Sequence, residues 1–172
     1  MKRSLVLLFL TALALPASAQ QINLEFPGLA DRAAEVVDVT LDARMLRLAS
    51  RFLSDDREER TVRDMIQKLQ GIYVRSYEFD HEGEYDRKVI DHVRSQLGTG
   101  WNKIVNVRSR TRENVEIYTQ TRDDAITGLV VISAEPRELT IVNIVGPIDL
   151  DRLADLEGQF GIPKISKERK ER

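Results

Sequence analysis

Apolar and polar residues alternate at period two in residues 35–42 (EVVDVTLD), with Val37, Val39 and Leu41 on one side, and this predicts a strand. Leu41, Met45, Leu48 and Phe52 then recur at helical spacing, so the strand is expected to run into a short amphipathic helix with that stripe inward. The stretch SDDREERTVRDMIQKLQG predicts a second helix. Ser54 or Asp55 can cap it, acids fill its first turn, Val62, Met65, Ile66 and Leu69 form its stripe, and Gly71 ends it. A strand follows at 72–79 (IYVRSYEF). A third helix is expected in EYDRKVIDHVRSQLG, with Tyr85, Val89, Val93 and Leu97 inward and Gly98 as its stop.

After Trp101 the pattern changes to strands joined by short turns. KIVNVRSR, NVEIYTQT, ITGLVVIS and LTIVNIVG, linked through TRE, DD and EPRE, predict a four-stranded antiparallel meander. PIDLDRLADLEG then predicts a short helix capped by Asp149. The sum is a single α+β domain, an antiparallel or mixed sheet of about six strands with three to four helices packed on it. Its expected bounds are 35–163, after a leader arm at 20–34 and before a charged tail at 164–172.

Pairing sets the faces. With Val107 opposite Ile117, Arg108 faces Glu116, and a two-residue turn at Asp123 and Asp124 sets Ile117 opposite Val130. One sheet face then carries Val107, Ile117, Val130, Ile132 and Ile141, and the other carries Tyr118, Leu129, Val131, Val142 and Ile144. Strands that face water on one side alternate; those in GLVVISAEPRELTIVNIVG do not, so both faces need cover. The first three helices can cover one face. Leu150, Leu153, Leu156, Phe160 and Ile162, with an arm near Ile22, Leu24 and Phe26, remain for the second. Cover of that face is expected to be incomplete, which makes Tyr118, Leu129, Val131, Val142 and Ile144 the candidate interaction face, toward a partner protein or a second copy. Asn143 interrupts the apolar run and is the candidate polar site. A bulge, a backbone hydrogen bond or a ligand contact would each satisfy its amide.

The N-terminus changes the setting. Lys2 and Arg3 precede an apolar run at 4–15, and PASA places small residues at Ala17 and Ala19, the pattern of a secretory signal peptide at 1–19 cut after Ala19. That run is shorter than the roughly 20 residues a membrane span needs. No later stretch is apolar enough, so the mature chain is expected to lack a transmembrane segment and to be periplasmic or extracellular. There is no cysteine, hence no disulfide framework, lipobox thiol or thiol nucleophile. Removing Lys2 and Arg3 leaves 24 basic against 28 acidic side chains, a net of −4. The tail KISKERKER holds five basic and two acidic residues, so the body carries −7, which argues against a nucleic-acid partner.

Several pieces in order, MLRLASRFLS, LQGIYVRSYEFD, GWNKIVNVRSR, NVEIYT, ITGLVVISAEPRELTIVNIVGPIDLDRL and GQFGIP, carry a resemblance. The chain resembles the domain of unknown function 4252 family of exported bacterial proteins over about residues 36–163, most specifically in GLVVISAEPRELTIVNIVGPIDLDRL. The resemblance implies export and a single α+β domain; it brings no activity and no catalytic residue.

The residues themselves offer little chemistry. His81 lies among acids in DHEGEYD but has no histidine at ligand spacing, and His92 falls beside the inward stripe of the third helix. Neither is expected to hold a metal, and no cofactor is implied. Ser133 stands in no G-x-S-x-G elbow, and the paired acids Asp123 and Asp124, Glu135 and Glu138 sit at turns. Arg108, Arg110 and Arg112 share a strand face, with Glu116 opposite Arg108 as a structural pair. The expected function is therefore a non-enzymatic, exported interaction module. A carrier of a small apolar ligand is the alternative, and a carboxylate- or metal-dependent hydrolase comes third.

Overall fold

A computed structural model describes residues 21–53, 56–110 and 113–149. The expected signal segment, Ser54 and Asp55, Arg112, the helix expected after Asp149 and the charged tail lie outside the described residues. The chain forms β1 (Glu35–Asp42), α1 (Ala43–Ala49) continued by a 3-10 turn (Ser50–Phe52), α2 (Arg57–Ile66), β2 (Gly71–Glu78) and α3 (Lys88–Ser95). It then runs through β3 (Trp101–Val107), β4 (Asn114–Arg122), β5 (Ala125–Ala134) and β6 (Glu138–Ile148). The strands make one six-stranded sheet in the order β1-β2-β6-β5-β4-β3, with every neighbouring pair antiparallel. The C-terminal meander and the α+β architecture are thus as the pattern implies.

β5 and β6 are central, and both are buried at consecutive positions, Gly128 through Ala134 and Leu139 through Gly146. Each face has its own cover. Leu46 of α1, then Val62, Met65, Ile66 and Leu69 of α2 and its exit turn, pack with Ile72, Val74, Ile117, Leu129, Val131, Val142 and Ile144. On the other side Ile90 and Val93 of α3, with Ile22, Leu24 and Leu29 of the N-terminal arm, pack with Tyr77, Tyr118, Val130, Ile132, Leu139 and Ile141. Burial of each such aliphatic side chain contributes about 1.5–3 kcal/mol. The three helices therefore do not share a face as expected: α3 crosses to the second one, and the arm fills the space beside it.

Two bulges explain where the expected register fails. Gln120 pairs with Gly128 but Thr121 with Ile126, so Thr127 is an extra residue on β5. The slip by one sets Ile117 opposite Val131 and Tyr118 opposite Val130, exchanging the faces of Ile117 and Tyr118 relative to the expectation. On β3, Lys103 pairs with Tyr118 and Val105 with Ile117, leaving Ile104 unpaired and outward. Val107 then opposes Val115, Asn106 opposes Glu116, and Arg108 lies beyond the strand. The expected Arg108–Glu116 pair is not formed. The turn at Asp123 and Asp124 does have two residues, both left-handed at φ 47° and 62°, as a tight hairpin requires.

The phase of α1 also differs. Leu46 is fully buried and Leu53 packs partly against the same cluster, whereas Met45, Leu48 and Phe52 point outward. Two apolar stripes compete on this helix. Asp42 caps it by accepting from the amides of Arg44 and Met45, both at 2.8 Å, at the junction with β1. Ser50 and Arg63 then hold the far end, Ser50 near Gln67 and the Arg63 guanidinium donating to the Leu53 carbonyl.

Gly146 locks the end of α2 onto β6. It has φ +126°, and an added Cβ would lie 2.9 Å from both the Gln70 nitrogen and the Leu69 Cα. At this approach Gln70 donates its amide to the Val145 carbonyl at 2.7 Å. Gly146→Ala combines a forbidden dihedral with a backbone clash, so it should lower stability by about 2–4 kcal/mol in urea unfolding.

Candidate functional site

The expected interaction face is core. Leu129, Val131, Val142 and Ile144 are at most 2% exposed beneath α1 and α2, and Tyr118 lies buried on the opposite face. The physical reason is helix placement: α1 and α2 occupy this side, which was expected to lack full cover, while α3 and the arm cover the other. Asn143 is also fully buried, and its amide is satisfied by backbone. Its Oδ1 accepts from the Ile22 amide at 3.1 Å and its Nδ2 donates to the Leu129 carbonyl at 3.3 Å. Asn143 thus anchors the arm to the sheet, which is the backbone-bond outcome among those the sequence left open.

A charged network pins α3 to the same face. Glu116 of β4, 6% exposed, accepts from Arg94 Nε at 3.0 Å and Arg94 Nη2 at 2.7 Å. It also accepts from the Tyr118 hydroxyl at 2.6 Å and lies 3.2 Å from Lys103 Nζ. Burial pushes its pKa up, but the hydrogen bonds from Arg94, Tyr118 and Lys103 win and bring it down to about 2. Arg94, held by the same pair and by Asp91 at 2.7 Å, is shifted upward. Lys103 is shifted up by the Tyr118 hydroxyl and then Glu116, with its ammonium 5.0 Å from the Tyr118 ring centre. A carboxylate this fully occupied is a clamp and a poor base. Sequence reasoning missed it because Arg94 is 22 residues from Glu116. The available signal was an acid sharing the Tyr118 side of a strand that must be covered.

Beside this network a cleft of about 620 Å³ opens between α3 and the ends of β3, β4 and β5, with Arg87, Arg94, Arg108, Arg110, Glu116 and Glu135 on its walls. The Glu135 carboxyl is pushed up by burial and then by Glu138 and Glu113. Ser133 donates to Glu113 at 2.9 Å. The histidines stand apart from it: His81 is exposed, 3.9 Å from Glu84, and His92 packs edge-on against Phe26. Among the described residues no three His, Asp or Glu side chains converge as a metal set. A second cavity of about 380 Å³ lies between the arm and Thr40, Tyr73 and Arg75.

The outer side of α1 and its 3-10 turn is of another kind. Met45 is 48% exposed, Leu48 47% and Phe52 84%, three large apolar side chains at spacings of three and four on one helical line. The packing of Leu46 and Leu53 turns them outward.

Residues 31–156 match the family described as Domain of unknown function (DUF4252). The chain belongs to this family. No curated protein and no solved structure matches. The matched region of this chain contains Glu116, Asn143 and the outer stripe of α1, and it begins after Ile22 and Leu24. The amide that Asn143 holds therefore belongs to a segment outside the family match.

The clamp makes stability pH-dependent. Glu116 is depressed from 4.5 to about 2 on folding, so its contribution is present above pH 4.5 and is lost as pH falls toward 2. Glu116→Gln should cost about 1–3 kcal/mol at neutral pH. In urea titrations repeated across acid pH, the variant should also lose part of the wild-type decline between pH 4.5 and 2.

Proposed function

We propose that the protein is an exported, non-enzymatic contact module of the cell envelope, and that it engages its partner through Met45, Leu48 and Phe52. The observation that carries this reading is the 84% exposure of Phe52 in line with two other half-exposed apolar side chains. Large apolar groups that a fold leaves in water in a row commonly mark a contact surface. Export is supported by Lys2 and Arg3, the apolar run at 4–15, and Ala17 and Ala19.

The rival readings have less behind them. A carrier of a small apolar ligand calls for an enclosed, apolar cavity. The larger cavity here is open and walled by guanidinium and carboxylate groups. A carboxylate-dependent hydrolase calls for an acid free to exchange protons, whereas the buried Glu116 is held ionised by three side chains.

Mature protein captured on beads from its own envelope extract should retain its partner, and Phe52→Glu should lose it with an unchanged thermal melt. A Phe52→Glu variant that retains the full captured set would overturn the reading. Intact-mass measurement of exported protein should show a chain beginning at Gln20, lacking the 19 residues before it.

A further inference from the structure

Residues 43–53, ARMLRLASRFL, hold three arginines and no acid in a chain whose acids outnumber its bases. Arg44, Arg47 and Arg51 are all exposed, and they repeat the spacing of Met45, Leu48 and Phe52 one residue earlier. On a helix that offset is about 100°, so a row of guanidinium groups runs beside the apolar row. Arg44 lies 3.5 Å from Asp42. Arg47 and Arg51 have no carboxylate at ion-pair distance among the described residues.

We propose that this ridge lies on an anionic phospholipid bilayer, with Phe52, Leu48 and Met45 set into the boundary between headgroups and acyl chains and the three guanidinium groups on lipid phosphates. It rests on the contact-surface reading above and names the partner. Shape favours lipid over protein. A helix surface curves outward, and this one presents three exposed apolar side chains, whereas a stable protein interface buries about 800 Å² on each partner. A bilayer surface accepts shallow insertion of such a ridge without a matching groove. Charge points the same way. The mature body carries −7, so a row of three cations is a local feature, and a plane of phosphates offers each guanidinium a forked partner. The ridge is also held in place before any contact. Leu46 and Ser50 beneath it are 0% and 1% exposed, and Asp42 fixes its start. Its outward side chains belong to neither core cluster, which separates binding from folding in an experiment.

The test is flotation of the mature protein with vesicles of phosphatidylcholine alone and of phosphatidylcholine mixed with phosphatidylglycerol. The expected result is co-flotation with the mixed vesicles only. Arg47→Gln should lower the partition coefficient about fivefold, the value of one cation near an anionic surface. Phe52→Glu should abolish co-flotation, and both variants should melt with wild type. The basic end at 164–172 stays in every variant. Vesicle binding that survives Phe52→Glu therefore comes from elsewhere and overturns the proposal, as does absence of binding to the mixed vesicles. If vesicles are ignored while Phe52→Glu still loses a captured protein or dissociates a dimer in light scattering, the lipid assignment falls and the contact-surface reading stands.

Discussion

A sheet that is apolar on both sides can exist in water only if both sides are covered, and that requirement organises this molecule. β5 and β6 bury consecutive residues, so no rotation or slip could turn one of their faces to solvent. The chain meets the demand with elements from before the meander. α1 and α2 close the side of Val131 and Val142; α3 and the arm close the side of Val130 and Ile141. β1 and β3, at the two edges, carry most of the exposed strand positions.

Polar groups inside such a core have to be satisfied locally, and the two that matter here serve as fasteners. Asn143 holds the arm through a backbone amide, and Glu116 holds α3 through Arg94. Both lie on the same side of the sheet, where the cover is an eight-residue helix and a segment with little regular structure. Among the described residues, the opposite side, under the two helices, buries only small hydroxyl side chains among its apolar residues, Ser50, Thr119, Ser133 and Thr140. The same physics lowers the functional promise of the charged cluster, since a carboxylate held down to about 2 by its neighbours is spoken for.

With the faces closed, the apolar row that α1 leaves in water is decided by the rotation of that short helix. α1 has two apolar rows, and burying Leu46 with Leu53 expels Met45, Leu48 and Phe52. That choice turns a segment expected to be core into the outer ridge, and a set of strand residues expected to be surface into core. The ridge owes its interest to what runs beside it, the arginines at 44, 47 and 51.

Local pattern by itself determined the strands, the meander, the α+β class, the three helices and the need to cover two faces. These follow from periods of two and 3.6 and from turn residues, all of which act within a few positions along the chain. The family was legible too, in the order of several short stretches. Tertiary structure alone decided the register past Thr127 and Ile104, because a bulge adds one residue with no compositional mark and exchanges the faces of everything beyond it. It decided which helix covers which face and which row of α1 turns inward, since competing rows differ little until a partner surface is present. It also decided that Glu116 meets Arg94 and Asn143 meets Ile22, contacts spanning 22 and 121 residues that no local rule can pair.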